Sequence, residues 1–329
     1  MLNKKDLEVV SNHHYVWAKY MRRWSLNNRD VFYTTKKTKK IDFTSVRNIA
    51  VERYFYKLSH LTERHIECIK FISSPCDKEQ QKHHLSYLSN FLEMQKKEEV
   101  YKKSGKVDHT IEQYFEAQKS KGLEQLHTAH ENHVQHILEA LANRDLDILN
   151  TSENVVKFMI FVGHQFTRTK TFKESIITKL KSSTDFCEIA SSMDECWWFI
   201  SYMFGMNLGK TLIIHRNQET HSLLINDSDI PFITSDHPVV NVHNELTDDI
   251  RAPDDHQFDL YYPISPDVAY LIHRSNRFDK GKVHVSTLVV NELNEKIAKN
   301  ASSFIISTSK ESLKPYVNKV GSRLRSILR

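Results

Sequence analysis

Residues Asn150–Phe172 read N-T-S-E-N-V-V-K-F-M-I-F-V-G-H-Q-F-T-R-T-K-T-F. Asn150 followed by Glu153 has the spacing of a capping box, which predicts that a helix starts here. From Val155 to Val162 only Lys157 is not apolar, and a helix apolar nearly all round is a buried one. Its last turns carry His164, Gln165, Arg168 and Thr169. Gln165 lies one turn from Arg168 and Thr169, and His164 one turn from Arg168. Arginine is almost never fully buried without a partner, so this cluster either pairs inside the protein or faces a cleft.

A buried rod of this kind needs a large surrounding core, and the composition supplies one. The chain has 329 residues, 40% apolar and 26% charged, with seven Gly and seven Pro. That excludes disorder and favours helices over tight turns. The N-terminus, M-L-N-K-K-D-L-E, lacks the apolar run of a signal peptide. The longest other greasy stretch, Cys196 to Met206, is too short to span a bilayer. Cys68, Cys76, Cys187 and Cys196 form no C-x-x-C pair, so reduced thiols and a cytoplasmic location are expected, with no membrane partner.

The net charge of +5 is unevenly spread. Residues 1–60 carry thirteen Lys/Arg against five Asp/Glu, residues 310–329 six against one, and the middle is acidic. Two basic ends on an acidic body suggest nucleic acid as a partner through those ends. The plainer reading is that Lys36-Lys37 and Lys39-Lys40 solubilise a loop.

Outward from the rod, His13, His14 and Tyr15 sit in an extended or turn-like stretch. Trp17, Tyr20, Met21 and Trp24 follow at helical intervals. Val31–Tyr33 and Ile41–Phe43 read as a hairpin around the lysine-rich loop, and Arg47, Asn48 and Glu52 as one helix. Two amphipathic helices over 60–104 part at Ser73-Ser74-Pro75. A helix from Lys121 to Ala142 bears a stripe of Leu123, Leu126, His130, Val134, Ile137 and Leu141, with Glu131 at its border. Beyond Phe172 a helix runs from Glu174 to Lys181, and Asp194 to Met206 is a buried helix or the start of a sheet. Short strands are then expected at 211–215, 222–225, 232–234, 239–242 and 268–273. A helix over 290–300, a strand over 303–307 and a basic tail helix complete the chain. The fold expected is α+β, one domain over 1–329, mainly helical in 1–185 and with a mostly antiparallel sheet in 186–329.

Five groups carry candidate chemistry. His13-His14-Tyr15 offers a base, a metal ligand or a phosphate contact, or is an ordinary surface loop. Asn48 and Glu52, four apart beside Arg47, hold a metal or orient a base, or form a simple surface pair. The run His127, His130, Glu131, His133, His136 lacks the spacing of H-E-x-x-H, so a core polar network outweighs a metal helix. Gln165, Arg168 and Thr169 can grip a phosphate or carboxylate, or Arg168 clamps a carboxylate such as Glu52 or Glu131. Asp236 and His237 leave a strand and are held extended by Pro238, placing an acid, base or ligand there, or only a turn.

Taken together, these segments resemble the bacterial domain-of-unknown-function family 4238, whose hallmark is an N-terminal H-Y-V-P motif. His14, Tyr15 and Val16 match it, while Trp17 stands where the family has Pro. R-N-I-A-V-E-R-Y-F-Y (47–56), G-H-Q-F-T-R-T (163–169), F-I-T-S-D-H-P-V-V (232–240) and Y-P-I-S-P (262–266) agree in order along nearly the whole chain. The resemblance implies that His14, Glu52, Gln165, Arg168 and Asp236 belong to one constellation, and it carries no settled biochemistry.

The activity expected is that of a hydrolase, a nuclease-type phosphodiesterase, in the setting of a toxin-like or phage-defence effector. His14 or His237 serves as acid/base, Asp236 and Glu52 as ligands of a divalent metal or as orienters, and Arg168 as stabiliser of negative charge. Tyr15, Arg47, Asn48 and Thr169 would contact the substrate. Two alternatives stand beside it: a non-catalytic module binding nucleic acid or protein, and a nucleotide- or NAD-processing enzyme. The absence of G-x-G-x-x-G and of a P-loop disfavours a dinucleotide fold but not other nucleotide sites.

Overall fold

The computed structural model describes residues 3–246 and 253–323. Strand β1 (Asn12–His14) and helix α1 (Ala18–Met21) lead to the hairpin β2 (Asp30–Thr35) and β3 (Ile41–Ser45). A 3-10 turn, Val46–Asn48, follows, then β4 (Val51–Arg53). Seven helices come next: α2 (Glu63–Ser73), α3 (Lys78–Lys103), α4 (His109–Ala142), α5 (Ser152–Thr167), α6 (Lys170–Lys181), α7 (Cys187–Glu195) and α8 (Trp197–Ile214). The remainder is β5 (Thr220–Asn226), β6 (Thr234–Ser235), β7 (Val240–Asn241), β8 (Asp259–Ser265), β9 (Val268–His273), β10 (Gly281–Val285), α9 (Thr287–Asn300), β11 (Phe304–Ser307) and α10 (Lys310–Leu313). The fold is α+β, with helices mainly in the N-terminal half and antiparallel-rich sheets in the C-terminal half.

Helix α5 is the buried rod, starting one residue later than its spacing predicts. Thr151, not Asn150, is the N-cap: its Oγ1 accepts from the Asn154 N–H at 3.4 Å, while Asn150 closes a 3-10 turn. Phe158, Met159, Phe161 and Val162 are all buried. Helix α5 packs on α8 across a seam of glycines. A Cβ at Gly163 would come 2.7 Å from the Gly209 nitrogen, and one at Gly205 2.8 Å from Cε1 of His164. Real Cβ atoms do not sit that close, so only hydrogen at these positions lets the two backbones meet.

In the five-stranded sheet, in order β10-β5-β9-β8-β7, the inner strands β5, β9 and β8 are buried on both faces, while the edge strand β10 exposes Lys282 and His284. Successive side chains of a strand point to opposite faces. Leu223 and Ile225 of β5, and Val268, Tyr270 and Ile272 of β9, join the core made with α5 and α8. Leu224, Ala269 and Leu271 join a second core with α9 and β11. Continuous apolar runs such as V-A-Y-L-I-H therefore mark two-sided burial. A four-stranded antiparallel sheet, β3-β2-β11-β6, ties the N-terminal hairpin to the C-terminal strand.

Several expectations need correction. Thr211–Ile214 ends α8 and is not a strand, and Phe232 and Ile233 lie outside β6. Helices α4 and α6 begin at His109 and Lys170, well before Lys121 and Glu174. The expected basic tail helix is the short α10 and a 3-10 turn, Lys314–Tyr316. Its Arg325 and Arg329 lie outside the described residues. The bend after Val16 needs no proline: Trp17 has φ −58, the value a proline ring would impose.

Candidate functional site

Arg47, Asn48 and Glu52 do not share a helix. Arg47 and Asn48 end the 3-10 turn, and Glu52 lies in β4, where it is paired across from His13 of β1, with Val51 across from His14. The residues flanking β4, Ala50 and Tyr54, have φ of 52 and 58. Such left-handed non-glycine residues cost energy and break any helix. The strained ribbon carries His14 to the polar tip of α5, with Tyr15 N–H donating to the Ala50 carbonyl at 3.0 Å.

Arg168 caps the end of α5 and is 2% exposed. Its Nη1 donates to Glu131 Oε1 at 2.8 Å and its Nη2 to Gln165 Oε1 at 2.6 Å. Gln165 in turn donates to the Tyr15 carbonyl at 3.4 Å. Burial opposes the charge on Arg168, but Glu131, Tyr56 and Glu124 together hold the guanidinium above its ordinary value, while burial raises the Glu131 carboxyl against the pull of Arg168. Glu131, not Glu52, is thus the clamp partner.

Around this pair the polar atoms are poorly satisfied. Arg168 Nε, His14 Nε2, Glu124 Oε2 and Tyr56 Oη are buried with no hydrogen-bond partner, as are both ring nitrogens of His127 and His164. His164 stacks on His130 and Tyr202, each with ring centres 4.6 Å away. Burial pushes the Glu124 carboxyl up to about 7 against the pull of Arg168, while the His14 backbone N–H supports its charged form. Burial also lowers His14, whose ring rests against the Arg47 carbonyl and feels Arg168. His130 falls to about 4 by burial, aided by Arg168. Glu124, a half-buried residue, escaped the sequence reading. Its signal is the series Glu124, His127, Glu131 at i, i+3 and i+7, polar side chains along one face of α4.

His13 behaves differently from its neighbour. Its Nδ1 accepts from the Tyr56 N–H at 2.8 Å and its Nε2 donates to the Val10 carbonyl at 3.1 Å, so both nitrogens tie down backbone.

Asp236 and His237 are buried beside this cluster, and both side chains are hydrogen-bonded. The Asp236 carboxylate accepts from the backbone N–H groups of Ser302 at 2.9 Å and Ser303 at 2.7 Å. Burial nevertheless lifts Asp236 to about 7, against those two amides and the charge of Lys170. His237 Nδ1 lies 2.7 Å from Oγ1 of Thr169, and burial lowers the ring to about 3. Thr169 is the N-cap of α6, its Oγ1 accepting from the Phe172 N–H. Glu52 pairs with Lys170, which also lies over the Tyr15 ring at 5.4 Å.

The structure therefore brings His14, Gln165 and Arg168 to one point. Glu52 and Asp236 lie next door, linked through Lys170. Arg47 and Asn48 point elsewhere, into an open surface depression. Among the described residues no three His, Cys, Asp or Glu side chains converge in an arrangement that could hold a metal ion. No helix among them is long and apolar enough to cross a membrane.

The sequence matches a known family model over residues 12–311. The chain belongs to the DUF4238 family, described as proteins of unknown function. No curated relative and no solved structure matches it. Within this DUF4238 chain, the matched segment contains every residue of the Arg168 cluster.

Proposed function

We propose that this protein is a hydrolase of phosphodiester bonds in nucleic acid, working at the Arg168 cluster. The observation that carries the reading is the set of orphaned atoms there: Arg168 Nε, His14 Nε2, Glu124 Oε2 and Tyr56 Oη. Each buried polar group without a partner costs about 1–3 kcal/mol. Four of them, drawn from four segments of the chain to one guanidinium, are a poor design for stability and a good one for a polar ligand.

The chemistry follows from the protonation states. At neutral pH His14 is a neutral base, and Glu124, at about 7, is protonated in about half the molecules. His14 takes a proton from the attacking water as its oxygen bonds to phosphorus. Glu124 gives its proton to the leaving oxygen as the P–O bond breaks. Arg168, held rigid by Glu131 and Gln165, offers fixed positive charge to the phosphoryl oxygens. Glu52, Asp236, His237 and Thr169 support the walls and carry no step.

A second reading is favoured by the near-complete burial of the Arg168–Glu131 pair. In it the cluster is internal glue and the protein binds nucleic acid without turnover. Purified protein assayed on RNA and on single-stranded DNA separates the two. Cleavage that falls by about 10²–10⁴-fold in His14→Ala and in Arg168→Ala is the expected result. Rates unchanged in both variants, or no turnover by the parent protein, would remove the hydrolase reading.

A further inference from the structure

Away from the buried cluster, the hairpin end of the molecule holds an open polar depression of about 470 Å³. Arg22, Arg29 and Arg47 line it together with Asn28, Ser45 and Asn48, and Val46 is the one apolar residue in its wall. Among the described residues no carboxylate pairs with Arg22 or Arg47, and Arg29 meets only Asp30, its sequence neighbour, at 3.5 Å. Three arginines lining one concave surface give it a positive potential that suits an anion.

The depression is built, not accidental. Asn27 Oδ1 accepts from the N–H groups of Arg29 and Asp30, and Asn28 adopts φ 58, which turns the chain and presents Arg29. Ser45 caps the 3-10 turn that carries Arg47 and Asn48. Phe43 shares the face of β3 with Ser45, two residues away. It is 47% exposed and braced by Phe32 with ring centres 4.8 Å apart. A braced, exposed aromatic beside clustered arginines is how proteins hold single strands: bases stack on the ring while the cations follow the backbone. The same 3-10 turn presses the Arg47 carbonyl against His14, so one turn of chain separates the depression from the Arg168 cluster.

We infer that Arg22, Arg29 and Arg47, with Phe43 as stacking platform, form a phosphate-tracking subsite for single-stranded nucleic acid. As the substrate-holding part of the enzyme this rests on the hydrolase reading, but binding at the subsite does not.

Fluorescence anisotropy with a labelled ten-nucleotide single strand, titrated at several salt concentrations, tests it. The triple variant Arg22→Gln/Arg29→Gln/Arg47→Gln should bind more weakly, with the slope of log K against log[salt] shallower by about 2. Phe43→Ala should weaken binding about tenfold while leaving that slope in place. Arg29, Arg47 and Phe43 are exposed and Arg22 is half-buried, and circular dichroism reports whether each variant is folded. Parent-like affinity and slope in the triple variant would overturn the subsite, as would tighter binding to duplex than to single strand. Glu124→Gln run in parallel keeps the two claims apart. Normal binding by this variant, alongside a parent protein that cleaves nothing, upholds the subsite and sinks the hydrolase.

Discussion

Two buried polar regions lie side by side in this molecule and are satisfied to different degrees. At Asp236 and His237, the carboxylate holds two backbone amides of the β11 approach, and the imidazole meets the cap of α6. At Arg168, the clamp to Glu131 and Gln165 is ringed by acceptors and donors that meet nothing. Sequence alone presents the two regions as equals, since each is a short polar run leaving an apolar element. Hydrogen-bond satisfaction separates them: a completed network is a structural joint, and an incomplete one is a place built for something else.

The largest effect expected from breaking this contrast is on Arg168. Arg168→Ala leaves Glu131 buried and unpaired, and should lower stability by about 3–5 kcal/mol in chemical denaturation. A loss well under 1 kcal/mol would show that the pair is not sealed. Asp236→Ala comes next. It strands the Ser302 and Ser303 amides and should cost about 2–4 kcal/mol, yet any activity of the folded fraction should match the parent. A specific loss of activity at full stability would return Asp236 to the chemistry.

The pH dependence of stability sharpens the same comparison more gently. His130 and His221, lowered to about 4, His237, lowered to about 3, and His127 and His164, lowered well below their usual value, are neutral when folded and protonate when unfolded. The unfolded chain then binds more protons below 6.5, so these groups remove stability as pH falls from there towards each folded value. Glu124 and Asp236, raised to about 7, act in the opposite sense between about 4 and 7, because the folded state holds the proton. His13, His14 and His84 are lowered as well, and Glu131 and Glu219 are raised as well, so eight histidines oppose four acids and melting temperatures should drop from pH 6.5 to pH 4. A rise over that interval would mean the histidines are not held neutral.

Much of the framework is legible in the residues. The hairpin, the break between α2 and α3 at Ser73–Pro75, and the rod α5 all carry strong local patterns. Elsewhere tertiary context overrides local preference. The β-branched Thr211, Ile213 and Ile214 suggest a strand, yet they continue α8, whose packing against α5 decides the matter. Strand β8 hides because Pro263 argues against an inner strand, and the structure accommodates it with a register shift between Pro263 and Ser265. Strand β4 hides because no sequence rule anticipates left-handed Ala50 and Tyr54. At the site, Arg168, Gln165 and His14 are readable from the end of a buried helix and a histidine motif. Glu124 and Tyr56 are not, because their meaning depends on which face of α4 and which side of the ribbon turn inward.

The most direct test of the central claim is a pH–rate profile for cleavage of a single-stranded oligonucleotide, measured with the parent protein and with Glu124→Gln at matched thermal stability. The expected result is a parent profile that declines above about pH 7 as Glu124 gives up its proton. In the variant, the rate falls by about 10²–10⁴-fold and that descending limb is gone. A variant that keeps the parent's rate and limb would contradict the account.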